Sequence, residues 1–319
     1  MIIAVFGASG KVGSALIPEL IRRRHRIRAM KHQSPIAAQG TEIIPGSITD
    51  PQAATEVMHD ADIVLQMTKS GNTPDQVVQT STRGTLTILD QILKTSSVRQ
   101  YILTSSDAAT GICAHPHPQP ISHETEPMSY NGYYSLGKVL EETIVREYQR
   151  NTDIPCTVAR LSWVHQEDKI LSHLIAGYNP DQPLAGPWSS LYTPKHRERL
   201  GNGEQFIVLP CAPDKTPLSR TLVQREDVVS ALIRMIGNPR AVNQRFHVSG
   251  PGFRYDEAAR YLSRKTGLPV EKLTDPRTRS FDINCSHTTD CTGWTPQFTI
   301  QDMIDAAFAW NEMNTPIQS

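Results

Sequence analysis

The chain has 319 residues, 38% hydrophobic and 20% charged, enough for one large α/β domain or two smaller lobes with buried cores. Lysine plus arginine and aspartate plus glutamate balance at 32 each, so no overall field draws nucleic acid or an anionic membrane, and neither is expected as a partner. No apolar run approaches the ~20 residues that span a bilayer, no signal-peptide pattern opens the chain, and five scattered cysteines without C-x-x-C spacing suit reduced thiols; a cytoplasmic protein is expected.

Short β-rich runs alternate with amphipathic helical patterns, the pattern of a parallel sheet with helices on both faces. Strands are expected at residues 2–6, 26–30, 42–44, 62–67, 100–104 and 156–161, and the longest helices over 12–24, 75–94 and 132–150. From His165 to Arg220 the chain is rich in proline, glycine and polar residues and reads as a long irregular stretch, a functional loop or a small lobe. Order resumes with TLVQREDVVSALIRMIG as strand and helix, RFHVSG as a strand, and helices near 255–266 and 299–311.

The stretch GASGKVG places Gly7, Gly10 and Gly13 between the first strand and the first helix. A tight turn needs glycine at its start, and close approach to a pyrophosphate needs a missing side chain in its middle. The third glycine lets the helix pack on the sheet, while the helix amides face the anion. In this context the turn is expected to bind a dinucleotide, with Ser9, Lys11 and Val12 as further contacts. The second strand runs into IRAMKHQSP, which offers no acidic residue for the ribose hydroxyls of NAD. Arg28, Lys31 and His32 stand there instead and suit a 2′-phosphate, so NADP is expected ahead of NAD. Ser47 and Ile48 of GSITD are placed against the adenine, and Gln66 and Met67 beside the cofactor at the end of the fourth strand.

In YNGYYSLGKVLEE, Tyr134 and Lys138 lie four apart on a predicted helix and share a face. An ammonium beside a phenol favours the phenolate. A tyrosine so placed can exchange a proton with a carbinol or carbonyl oxygen near neutral pH. The fifth strand runs into TSSDAATG, putting Ser105 and Ser106 at the carboxyl edge of the sheet, where open α/β folds bind ligands. Tyr130 and Tyr133 are expected to anchor the core.

Together these residues resemble the extended short-chain dehydrogenases/reductases, the NAD-dependent epimerase/dehydratase group. The likeness covers nearly the whole chain: GASGKVG, the strand-end serines followed by ATG, YSLGK as a Y-x-x-x-K pair, Arg160, VQREDVVSAL and the C-terminal GWTP. It implies an α/β fold, a Rossmann-type doubly wound parallel sheet with a smaller C-terminal substrate-binding lobe. Residues 1–164 with a returning segment at about 221–250 would bind NAD(P), and 165–220 with 251–319 would form the lobe. The resemblance implies Tyr134 as catalytic acid/base, Lys138 as the residue that holds the nicotinamide ribose and tunes the tyrosine, and Ser106 as the catalytic serine. The activity it implies is an NAD(P)-dependent oxidoreductase acting on a carbinol or ketone of a carbohydrate-like small molecule. An NAD-dependent sugar epimerase is the alternative, and a non-catalytic NADP-sensing regulator the second. A homodimer through the helices over 75–94 and 132–150 is implied as well.

Several positions depart from that group. Ser106, Asp107 and Ala108 stand where its 4,6-dehydratases carry Thr-Asp-Glu, so the base for eliminating water is missing. Arg83 replaces a frequent asparagine and WVHQED a glycine-proline turn, which argues against a nucleotide-sugar substrate. His115 and His117 in HPHPQP, and Cys285, His287 and Cys291, read as surface loops rather than ligand sets, so no metal is expected. The cluster Lys195, Arg197 and Arg199 reads as a solvated basic loop.

Overall fold

The computed structural model describes residues 1–69, 71–117, 120–130 and 132–314. Pro118 and Gln119 of the HPHPQP loop and Asn131 of the tyrosine-rich stretch lie outside the described residues. Strands β1 (Ile2–Phe6), β2 (Arg26–Lys31), β3 (Thr41–Pro45), β4 (Ile63–Gln66), β5 (Gln100–Ser106) and β6 (Cys156–Leu161) join Arg245–Val248 in one sheet of seven strands. Its order is Arg245–Val248, β6, β5, β4, β1, β2, β3, and every pairing is parallel. The chain builds from β1 through β2 and β3 in one direction, then returns to add β4, β5 and β6 on the other. That reversal beside β1 leaves a crevice over the carboxyl ends of the strands. The fold is the doubly wound α/β sheet that the alternation of elements predicts.

Side-chain alternation along β1 builds two cores. Ile3 and Val5 pack with Leu16, Ile17 and Leu20 of the first helix (Gly13–Arg22), whereas Ala4 and Phe6 face Val57, Ile88 and Tyr101 on the other side. Strands buried on both faces read as near-continuous apolar runs, which is why β1 and β4 are easy to find. The helix expected over 75–94 is present but changes character. Val77–Gly84 winds as a π-helix and Thr85–Ile92 as an α-helix.

The stretch from His165 to Arg220 is more ordered than its composition suggests. It contains helices Lys169–Leu174 and Pro194–Gly201 and the strand Phe206–Cys211, all six of whose residues are buried. That strand carries Pro210, and its neighbours Ile175–Ala176 and Val270–Thr274 come from distant parts of the chain, so no local pattern marks it. A third core forms around it, with Ile170, Leu171, Trp188, Leu209, Leu262 and Ile304. At the C-terminus, Trp294 of GWTP is buried in the sheet's core and its indole N–H donates to the Asp227 carbonyl at 3.1 Å. The Asp227 carboxylate in turn accepts from the Gln297 and Phe298 amides. No helix among the described residues is long and apolar enough to cross a membrane.

Candidate active site

A cleft of about 1200 Å³ opens over the carboxyl ends of β1, β4, β5 and β6. Its floor is the GASGKVG turn. Gly7 has φ +89°, and a Cβ there would sit 2.6 Å from the Met67 carbonyl carbon and oxygen; a Cβ on Gly13 would sit 2.5 Å from the Ala8 carbonyl oxygen. Neither neighbour is a side chain that can rotate away. The first helix begins at Val12 with no side-chain cap and no acidic residue in its first turn. The Ser14 and Ala15 amides are taken by the Gly10 and Val12 carbonyls, but no side chain closes the end of the helix, and its positive dipole end suits an anion at the turn. Gly7, Ser9, Gly10, Lys11, Val12 and Gly13 all line the cleft, and this bare cradle fits a pyrophosphate.

The cleft continues past the end of β2. His32, Ser47, Ile48 and Met67 lie in its wall, as expected, together with Met30. Lys31 and Gln66 do not. Lys31 is exposed and falls between Met30 and His32 on a strand whose side chains alternate in direction. Gln66 is fully buried: its amide donates to Thr85 Oγ1 at 2.9 Å and its Oε1 accepts from the Tyr101 hydroxyl at 2.6 Å. Arg28 is spent on Glu42, 2.9 Å away.

At the far end, Ser106, Tyr134 and Lys138 line the same cleft. Tyr134 and Lys138 lie on the helix Tyr133–Asn151, as expected. The Lys138 ammonium is nearly enclosed and donates to the Thr68 carbonyl (3.2 Å), the Thr104 carbonyl (3.0 Å) and Glu141 Oε2 (2.8 Å). Burial opposes its charge, but Glu141, Tyr134 and Glu142 together outweigh burial and hold its pKa above the ordinary lysine range. The two strand-end serines separate here. Ser105 donates to Glu142 Oε1 at 2.5 Å, beneath the buried Arg160–Glu142 ion pair. Ser106 accepts from the Ala108 amide at 3.2 Å and donates to Asp107 Oδ1 at 3.1 Å.

Residues 3–179 match the model of the NAD-dependent epimerase/dehydratase family. The chain belongs to that family. An uncharacterized oxidoreductase of Schizosaccharomyces pombe is 21% identical, over 86% of this chain and 85% of the relative. Among solved structures, a short-chain dehydrogenase/reductase superfamily protein from Agrobacterium tumefaciens with bound NAD superposes with a TM-score of 0.82 at 18% identity, covering 98% of each chain. The UDP-glucose 4-epimerase of Thermotoga maritima gives 0.75 at 18% identity, covering 98% of this chain and 99% of the epimerase. The dTDP-glucose 4,6-dehydratase of Bacillus anthracis gives 0.74 at 18% identity, covering 98% and 97%. At these identities the likeness is one of fold. This epimerase/dehydratase-family chain is an NAD(P)-dependent oxidoreductase/epimerase enzyme.

The far end of this family member's cleft contains residues that the sequence reading did not assign to it. Asp107 is buried among Ser106 and Ser162, and burial pushes its carboxyl up to about 6 despite the Ser162 hydrogen bond of 2.9 Å. Arg220 lines the cleft within 5.5–6.0 Å of the rings of Trp163, Trp188 and Phe281. Burial works against this charge too, but Tyr255, Cys113 and Asp107 outweigh it. The Asp107 signal was present in TSSDAATG, next to the chosen serine. Arg220 carries no local signal, because its aromatic neighbours come from residues 163, 188 and 281.

The two tyrosines expected in the core are not there. Tyr130 is half-buried in the cleft wall, with its hydroxyl pushed up to about 12 by burial, and Tyr133 is exposed. The basic cluster lies on the Pro194–Gly201 helix, away from the cleft, where Arg199 pairs with Glu204 at 2.8 Å. Among the described residues no group of three side chains is arranged to hold a metal ion.

Proposed function

We propose that this enzyme oxidises or reduces a carbinol or ketone carbon of a small polyol-like molecule, with Tyr134 as acid/base and NADP as the preferred cofactor. One juxtaposition carries the reading. The uncapped glycine turn, Ser106, Tyr134 and Lys138 share one cleft at the point where the strand order reverses. Gly7, Gly10, Gly13 and the glycine-turn amides would hold the pyrophosphate, and Lys138 would exchange one of its two carbonyl acceptors for a nicotinamide ribose hydroxyl. The bound nicotinamide supplies the hydride chemistry at the reacting carbon.

Tyr134 gives its phenolic proton to the substrate oxygen in reduction and takes it back in oxidation. Lys138 sets a positive field one helical turn away, fixed in place by the Thr68 and Thr104 carbonyls. Ser106, its hydroxyl anchored at the strand end, orients the same oxygen. Trp163, Ile112 and Phe281 make the apolar part of the wall and limit water at the reacting carbon. The smaller lobe is proposed to hold the substrate, which Trp163, Arg220 and Phe281 would meet first. The preference for NADP rests on His32 in the wall and on Asp107 being the only carboxylate among the described residues of the cleft wall. The proposed homodimer would cover Val78, Leu93 and Leu136, which are exposed on the two expected helices.

Titration with NADH and NADPH, followed by nicotinamide fluorescence, measures cofactor choice; tighter NADH binding overturns the preference. Tyr134→Phe is expected to keep cofactor affinity while turnover falls by roughly 10²–10⁴-fold. Undiminished turnover would remove Tyr134 from the chemistry. An epimerase using the same cleft would leave the cofactor level unchanged, whereas the proposed reaction consumes one nicotinamide per product.

A further inference from the structure

A second cavity, of about 300 Å³, adjoins the cleft, and Lys11 and Trp163 belong to the walls of both. Two buried histidines face into it with polar atoms left unpaired. His165, 4% exposed, has no hydrogen bond at either ring nitrogen. The Lys169 backbone favours the charged ring, as a carbonyl acceptor facing it does, but makes no hydrogen bond of normal geometry with either nitrogen. His173, 3% exposed, uses Nε2 on the Tyr255 hydroxyl at 2.8 Å and leaves Nδ1 unpaired.

Buried polar atoms are nearly always paired in native proteins, so three orphans around one cavity call for an occupant. At about 30 Å³ per water molecule the space exceeds what one or two bridging waters would fill. Lys11 and Lys169 are in the wall, and among the described lining residues there is no aspartate or glutamate; Asp168, just outside the wall, lies 3.3 Å from the Lys169 ammonium, and an anion in the cavity would compete with it. Lys11 is depressed by burial and then by the nearby Lys69, Arg225 and Lys169, as expected of a crowded positive mouth.

We propose that this annex binds an oxyanion, a carboxylate or phosphate with a neighbouring hydroxyl, on the arm of the substrate that extends past Trp163 from the reacting carbon. This assignment rests on the redox reading of the main cleft. Burial, then the charge of Lys11, holds His165 down to about 3, and burial holds His173 well below its ordinary value. Both rings therefore meet the ligand neutral. One nitrogen of each donates to the oxyanion, the free lone pair of His165 accepts from the adjacent hydroxyl, and Lys169 supplies the charge.

The test is calorimetric titration of the full chain, saturated with NADPH so that the glycine turn is filled, with inorganic phosphate in one arm and gluconate in the other. Binding of at least one anion is expected, weakened tenfold or more by Lys169→Met and by His165→Phe and retained in Lys169→Arg, with NADPH affinity within twofold throughout. The arm that binds tells phosphate from carboxylate. Failure of both anions to bind, or affinity untouched by Lys169→Met, overturns the annex. Failure of the unmutated protein to bind NADPH or NADH overturns the redox reading instead, and with it the placement of the oxyanion on a substrate arm. Because Lys169 is largely exposed, its variants keep the test decisive if His165→Phe does not fold.

Discussion

Lys138 has three protons to donate, and all three are committed within the protein, one of them to a carboxylate that is itself buried. Glu141 is held in turn by the Ser81 hydroxyl at 2.8 Å. Removing one partner of such a pair leaves an uncompensated charge in the interior. Glu141→Gln is expected to cost about 3–5 kcal/mol in urea unfolding. A loss below ~1 kcal/mol would mean that water reaches the pair. Asp107 presents the opposite sign. Its folded pKa of about 6 lies above the ordinary aspartate value of 3.8, so its favourable contribution is complete below pH ~4 and is lost as pH rises through 6. Asp107→Asn should therefore be more stable than the parent at pH 8, by up to roughly 3 kcal/mol, with the advantage shrinking toward pH 4. Parallel urea melts check this, and a difference that does not change with pH would place the carboxyl in a solvated site.

Two glycines at element junctions separate a rigid constraint from a soft one. A Cβ on Gly13 meets the Ala8 carbonyl oxygen at 2.5 Å, so the first helix would have to lift from its turn. A Cβ on Gly84, where the π-helical segment passes into the α-helix, meets Ile48 Cγ2 at 2.8 Å and Cγ1 and Cδ1 at 3.1 Å, so a side chain rather than backbone must shift. Gly13→Ala is expected to cost more than about 2 kcal/mol and to abolish NADPH binding, whereas Gly84→Ala costs about 1 kcal/mol, its overpacking partly offset by the helix preference of alanine, and weakens binding only a few-fold. The reverse order in thermal shift and fluorescence titration would contradict the packing. The π-helical segment also shows where pattern reading stops. Apolar spacing predicted a helix over 75–94, but the hydrogen-bond register that brings Gln79 and Thr80 to the cleft leaves no mark in hydropathy.

At the scale of the whole molecule, three histidines among the described residues are buried in the neutral form. His165 and His247 are held to about 3, and His173 well below its ordinary value, chiefly by burial. The unfolded chain takes up these protons below pH ~6.5 and the folded chain does not, so their contribution is complete above that pH and is lost as pH falls. Stability should drop below pH 6 with a slope of up to roughly 4 kcal/mol per pH unit, partly offset by Asp107 and Glu141, whose carboxyls burial pushes up. Urea midpoints that stay level between pH 7 and 5 would show these rings to be solvated.

The sequence by itself determined the parallel sheet, the glycine turn and the tyrosine–lysine pair. Each is a local pattern: an apolar strand run, glycines around a turn, two side chains one helical turn apart. Tertiary structure alone decided which of two adjacent serines lies against the Arg160–Glu142 ion pair, that Gln66 is spent on the core, and that Arg220, Trp163 and Phe281 meet. It also decided that Phe206–Cys211 is a strand and that two unpaired histidines face one cavity. Most of those outcomes depend on neighbours tens to more than a hundred residues away, brought together by burial of the hydrophobic cores, and even for His165 and His173, eight residues apart, the cavity they face is closed by distant segments.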